Sequence, residues 1–243
     1  MQAALTRNEN SQVGAVSPPD RRCVRTRLAL RDALASEIEA TGDLAQVTVT
    51  AVTDRAGLTR RTFYSHFRDI ADLVNQIECE TVDELRPLVS HLSEVTLDEL
   101  ELAIDQGKAC PGSNEILDYF KERSGYLSAL LGDGGDPAFA RQIERMVRKE
   151  VTDRALNGLD LRALGAFFDY YLTYAVSAEV GVLVRWLSTG AHESVDIMAR
   201  LMTALMFVRP GDLYGKQIDF DVPTFGLALL ASLDEQRKET NHD

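Results

Sequence analysis

The stretch Thr48-Val-Thr-Ala-Val-Thr-Asp-Arg-Ala-Gly-Leu-Thr-Arg-Arg-Thr-Phe-Tyr-Ser-His-Phe67 decides how this chain is read. Thr48 suits a helix N-cap, because its hydroxyl accepts from a backbone N–H that the first turn leaves free. Val49, Val52 and Ala56 then fall at i, i+3 and i+7, which is a single buried helical face. Gly57 follows at once and supplies the left-handed backbone that stops a helix sharply. Leu58 turns into the corner, and Thr59 caps a second helix over about 60–66 that buries Phe63 and Phe67 at i and i+4. Two helices this short are not stable alone. The sequence therefore predicts flanking helices that hold them, the three-helix arrangement of a helix-turn-helix.

Working outward, a first helix is expected over Arg21–Ala40, with Leu30, Ala33, Leu34 and Ile38 on one face and Gly42 just past its end. Asp69 is placed to cap a longer helix. Further helices are expected near 81–106, 113–131, 137–157, 160–188, 193–208 and 223–237, and almost nothing alternates with the period of a strand. The fold class is all-α: an N-terminal helix-turn-helix domain and a C-terminal helical bundle. The expected division is an arm at 1–19, disordered and ended by Pro18-Pro19, then a helix-turn-helix domain at 20–75 and a regulatory and dimerisation domain at 76–243. The loop Leu131-Gly-Asp-Gly-Gly-Asp-Pro137 breaks the helical pattern. It is no phosphate loop, since no strand precedes it and no Gly-Lys-Ser/Thr follows.

The net charge of −12 argues against an anionic partner until the chain is divided. Residues 1–75 carry about +1, and the remainder carries −13. Arg21, Arg22, Arg25, Arg27, Arg60, Arg61 and Arg68 all lie in the first part. On the second short helix, Arg60, Arg61, Thr62, Ser65 and the tip of Tyr64 are left pointing outward. Such a row of donors fits the major groove of DNA, and Thr59 sits at the helix N-terminus, where backbone N–H groups favour phosphate. A solvated helical hairpin would explain any one of these residues; the whole string of caps, turn and buried aromatics favours a DNA-binding unit.

Other function classes find little support. The 243 residues hold no run long and apolar enough for a membrane span and no secretory h-region, so a cytoplasmic protein is expected. Cys23, Cys79 and Cys110 are odd in number, lack metal-ligand spacing and read as free thiols. Four scattered histidines, with no nucleophile elbow or convergent carboxylates, argue against an enzyme; no catalytic residue, metal or cofactor is expected.

Ala56-Gly-Leu-Thr-Arg-Arg-Thr-Phe-Tyr-Ser-His-Phe67 resembles the signature of the tetracycline-repressor (TetR) family, with its turn glycine, capping Ser or Thr and aromatic-Tyr-x-His-Phe ending. The likeness runs at motif level from the first helix to about Val74. It implies that Thr59, Arg60, Arg61, Thr62 and Tyr64 lie on or beside a recognition helix, and that Tyr64, His66 and Thr50 meet phosphate. Thr53 stands where the family usually has Ala, which is tolerable if its hydroxyl bonds back to the preceding turn. Ile70 replaces a common phosphate-gripping Lys, so more of that role falls to Arg68 and the arginines before the first helix.

A single reading head covers little DNA, so two heads about one helical turn apart are expected. Tyr174, Val182 and Trp186 on the long 160–188 helix, with Ile197, Leu201 and Leu205 on the next, give two adjacent apolar faces that call for a second surface. Gly181-Val-Leu-Val-Arg-Trp-Leu-Ser-Thr-Gly190 resembles the family's penultimate-helix ending, which implies a homodimer. The family also implies a small-molecule effector pocket, for which Tyr119, Phe120, Tyr126, Phe139, Met146, Phe168 and Tyr170 are candidates; ordinary core packing competes for each of them. The expected protein is a ligand-responsive regulator, most often a repressor in this family, that binds a palindromic operator on double-stranded DNA. The competing reading is a TetR-like co-regulator that binds protein and has lost DNA.

Overall fold

A computed structural model describes residues 21–158 and 165–206 of the chain. The expected arm at 1–19 and the helix at 223–237 lie outside the described residues. In chain order the helices are α1 (Arg21–Thr41), a 3₁₀ turn (Leu44–Gln46), α2 (Val49–Ala56), α3 (Arg60–Tyr64) and α4 (Ile70–Leu92). After them come α5 (Leu97–Asp105), α6 (Ser113–Glu122), α7 (Ser124–Leu131), α8 (Pro137–Gly158), α9 (Gly165–Ser188) and α10 (Val195–Leu205). No strand occurs among the described residues, and the all-α reading holds.

Two boundaries differ from expectation. The sequence suggests a break near 81, yet α4 runs unbroken from Ile70 to Leu92 across the expected domain boundary at 75/76. Glu78 and Thr81 interrupt its apolar stripe on paper, but both are buried beside Ile77 and Leu85. The real break falls at Ser93–Thr96, where a capping box starts α5: Thr96 accepts from the Glu99 N–H, and the Glu99 carboxylate accepts from the Thr96 N–H (2.9 Å). The single helix expected over 113–131 is two, because Arg123 (φ −107, ψ 8) leaves helical geometry between α6 and α7.

One contiguous apolar core runs from Leu30 on α1 to Ala199 on α10. α1 packs on α2 and on α7, α4 on α8, α6 on α10, and α9 on both α7 and α8. Two specific contacts join the N-terminal helices to the rest among the described residues. The Arg31 guanidinium lies 4.0 Å over the Tyr126 ring. The Leu44 N–H donates to the Gly134 carbonyl at 2.7 Å, just ahead of α2. This approach needs glycine: a Cβ at Gly134 would stand 2.7 Å from the Gly42 carbonyl oxygen.

Candidate nucleic-acid interface

Each punctuation mark expected in the Thr48–Phe67 stretch forms. Thr48 accepts from the Ala51 N–H at 3.2 Å and starts α2. Gly57 takes φ +66, its N–H donates to Asp54 O (3.2 Å), and the Leu58 N–H closes on Thr53 O (2.9 Å). Thr59 accepts from the Thr62 N–H at 3.1 Å and so starts α3. Thr53, fully buried where α2 meets its neighbours, donates its hydroxyl to Val49 O (2.9 Å) and Thr50 O (3.0 Å), the back-bonding its position requires.

α3 is only five residues long and is anchored from below. Phe63 and Phe67 are buried with ring centroids 5.7 Å apart. Arg27 on α1 lies 5.2 Å over the Phe67 ring and also bonds Gln76 and Glu80 of α4, which ties the first and fourth helices around the aromatic pair. The other face of α3 is open. Arg60, Arg61, Tyr64 and Ser65 are exposed, Thr62 is half-buried, and no ion pair engages Arg60 or Arg61 among the described residues. Thr50 is half-buried in the first turn of α2, and Thr59 is exposed at the start of α3.

Around this face the cations are unevenly available. Arg68 is exposed but leans on Asp72: its backbone N–H donates to the carboxylate at 2.8 Å and its guanidinium stands 3.5 Å away. That backbone bond, then Gln76 and the guanidinium, hold the Asp72 carboxyl below the usual carboxylate range. Ile70 is half-buried against the core. His66 is half-buried, with its Nδ1 at 3.8 Å from the Cys23 thiol.

Tyr119, Phe120, Tyr126, Phe139 and Met146 are buried in the core, with Arg123 stacked 4.0 Å over the Tyr119 ring. The Tyr119 phenol has no well-formed hydrogen bond, and burial pushes its pKa up. Tyr170 departs from the expectation. It stands 71% exposed on the outer face of α9, because the inward face there belongs to Leu172 and Val176. The Phe168 side chain lies outside the described residues.

Among the expected dimer residues, Tyr174, Ile197, Leu201 and Leu205 are exposed and Val182 is half-buried. Trp186 must be removed from that set: it is 2% exposed, with Lys121 over its ring at 5.7 Å, and belongs to the core of its own chain.

Sequence reading missed Glu78. Its side chain is buried on α4, Oε2 accepts from Gln142 on α8 at 2.7 Å, and Oε1 has no partner. Burial, and then the facing Asp136 carboxylate, push its carboxyl up to about 7. The available signal was an acid on the apolar stripe of α4.

Residues 33–77 match the family model described as bacterial regulatory proteins, tetR family. Residues 109–207 match the C-terminal-region model for TetR transcriptional regulators, so the two matches together cover more than half of the chain. The chain belongs to the TetR family. A similar curated protein is the uncharacterized HTH-type transcriptional regulator YxbF of Bacillus subtilis (strain 168), 23% identical over 184 residues. That match takes in 74% of this chain and 44% of YxbF, so the chain spans less than half the length of that relative. Among solved structures, a TetR transcriptional regulator from Streptococcus agalactiae 2603V is 20% identical with a TM-score of 0.47, covering 77% of this chain and 96% of that one. The dihydroxyacetone kinase operon activator DhaS is 14% identical, also at 0.47, over 75% and 94%. No helix among the described residues is long and apolar enough to cross a membrane.

Proposed function

We propose that this TetR-family regulator works in the cytoplasm as a homodimer on a palindromic operator, with residues 20–75 as reading head and 76–243 as body. The observation that carries this is the open face of α3: Arg60 and Arg61, free of ion pairs among the described residues, ride on a helix held from below by Phe63 and Phe67. Arg60, Arg61, Thr62 and Tyr64 are the base-reading and groove-facing candidates, while Thr50, Thr59 and His66 lie toward the phosphates. A small-molecule effector in the body, near Tyr119, Phe120, Tyr126, Phe139 and Met146, would act by favouring a dimer whose heads no longer match the half-site spacing.

Selection of bound sequences from random duplex DNA tests the reading. An inverted repeat is enriched, and affinity for it falls steeply as salt rises, since phosphate contacts release counterions. The competing reading, a protein-binding co-regulator, takes over if the purified protein enriches no sequence at low salt; the hold of Asp72 on Arg68 and the apolar Ile70 favour it. A point variant sharpens the result. Arg61→Ala weakens operator binding by about 1–3 kcal/mol, roughly 5- to 150-fold, if Arg61 reads a base. Its melting temperature moves by no more than about 2 °C, because an exposed side chain contributes little to the fold. Unchanged operator affinity would take Arg61 off the reading face.

A further inference from the structure

The short loop between α7 and α8 touches both the head and a buried carboxyl of the body. Residues 132–136 turn back on α7: the Asp136 N–H donates to Leu130 O at 3.0 Å, and the Asp136 carboxylate accepts from the Ala138 N–H at 2.7 Å. Asp136 is thus fixed at both its backbone and its side chain. Two residues before it, the Gly134 carbonyl accepts from the Leu44 N–H at 2.7 Å. Leu44 opens the 3₁₀ turn that leads to Thr48, the cap of α2. The same loop faces Glu78 of α4, which is 2% exposed and whose Oε1 has no hydrogen-bond partner. The charged and titratable groups that neighbouring elements bring to α4 are taken up elsewhere along it. Glu150 of α8 bonds Arg86 (3.1 Å), Arg123 past the end of α6 pairs with Glu84 (3.5 Å), and Tyr119 of α6 lies near that same Glu84. Arg27 of α1 is held by Gln76 and Glu80. At Glu78 itself, α8 brings the neutral Gln142 to Oε2 at 2.7 Å, and Asp136 is the charge that acts on it.

We propose that the proton is an effector of this regulator: with Glu78 protonated the 132–136 loop stays docked on α4 and clamps the head through Leu44, and release of that proton undocks the loop and frees the head. The proton on Oε1 lies between two carboxyl groups. Its loss to solvent leaves two like charges facing each other at a buried site, where neither is well hydrated. Asp136 is tied to Leu130 and to Ala138, so the repulsion displaces the loop and not one side chain. The Gly134 carbonyl moves with the loop and leaves Leu44, which gives the contact two discrete states, docked and undocked. A freed head no longer keeps the orientation that two heads on one operator require, so affinity falls. The sign follows from the Glu78 carboxyl, which burial and Asp136 push up to about 7: the clamp holds below that pH and is lost as pH rises through it. The effect on DNA rests on the operator reading above; the clamp itself does not.

The test compares the full chain with its Glu78→Gln and Asp136→Asn variants between about pH 6 and pH 8. Each variant replaces one of the two facing charges by an amide that can donate to the other, and Asp136→Asn keeps an oxygen for the Ala138 N–H. Without DNA, hydrogen exchange of the Leu44 amide is followed by NMR and corrected for base catalysis. Its protection falls about tenfold across that range in the parent, as the protonated share of a carboxyl near 7 drops from about nine-tenths to about one-tenth, and stays level in both variants. On the inverted repeat recovered by selection, the parent's dissociation constant rises about tenfold more per head than that of either variant, because only the clamped fraction binds. Titration of His66 beside the phosphates is common to all three proteins and cancels. Leu44 protection that follows one course in the parent and both variants overturns the clamp. A clamp that loosens while the parent and Glu78→Gln bind the repeat equally at pH 8 overturns the proton as an effector. If none of the three binds duplex DNA while Leu44 still responds to pH, the operator reading falls and the effect on DNA with it, and the clamp stands.

Discussion

Phe63→Ala destabilises the protein by about 3–5 kcal/mol, the range for emptying a fully buried aromatic site, and removes operator binding altogether. The side chain is completely buried under α3, edge-on to Tyr64 at 5.6 Å and tilted against Phe67 at 5.7 Å. A five-residue helix has no stability of its own, so α3 exists only because this ring and Phe67 fix it to α1 and α4. Removing the ring leaves a cavity under the face that carries Arg60 and Arg61. Thermal unfolding followed by circular dichroism should show a midpoint about 10 °C lower, given 2–4 °C per kcal/mol for a chain of this size. Phe63→Leu, which keeps most of the volume, loses less than about 1.5 kcal/mol and retains measurable operator affinity. A midpoint within about 3 °C of the parent in Phe63→Ala, with operator binding intact, would show that α3 is held by something other than its aromatic pair.

The helix-turn-helix was legible because its signals are local. Thr48, Gly57, Thr59 and Asp69 each act on backbone groups within about three residues, so residue type and spacing carry nearly all of the information. Thr53 shows how far this goes: its hydroxyl bonds to carbonyls three and four residues back, which the sequence could anticipate without knowing its neighbours. What the sequence obscured depends on distant partners. The path of α4 through residue 81 turns on the burial of Glu78, to which Gln142 donates a hydrogen bond from 64 positions away. Trp186 and Tyr174 looked alike as aromatics on one helix. Lys121 lies over the first, which is buried, while nothing among the described residues covers the second. Tyr170 and Tyr126 divide the same way: Arg31 stacks on Tyr126 across the contact of α1 with α7, and Tyr170 faces outward.

Glu78 makes the stability of the protein fall as pH rises from about 4.5 to about 7. Its carboxyl is pushed up to about 7, first by burial and then by Asp136, against an unperturbed value of 4.5. In that window the folded chain keeps a proton that the unfolded chain has released, so folding weakens with each rise in pH and levels off above 7. The full difference is about 3 kcal/mol, from 1.36 kcal/mol per pKa unit. Oε2 accepts from Gln142, so Oε1, on the side of Asp136, is the oxygen left to carry the proton. Asp136 in turn caps the start of α8 by accepting from the Ala138 N–H at 2.7 Å, in the same loop whose Gly134 carbonyl holds Leu44. Glu78→Gln keeps the shape and supplies an N–H donor at every pH. It should match the parent near pH 4.5 and exceed it at pH 8, with a midpoint higher by roughly 6–10 °C. Comparing the two proteins at each pH cancels the titration of every other carboxylate. A gap that stays constant from pH 5 to pH 8 would mean that Glu78 is charged throughout, and its buried oxygen would then need a cationic or donor partner from elsewhere.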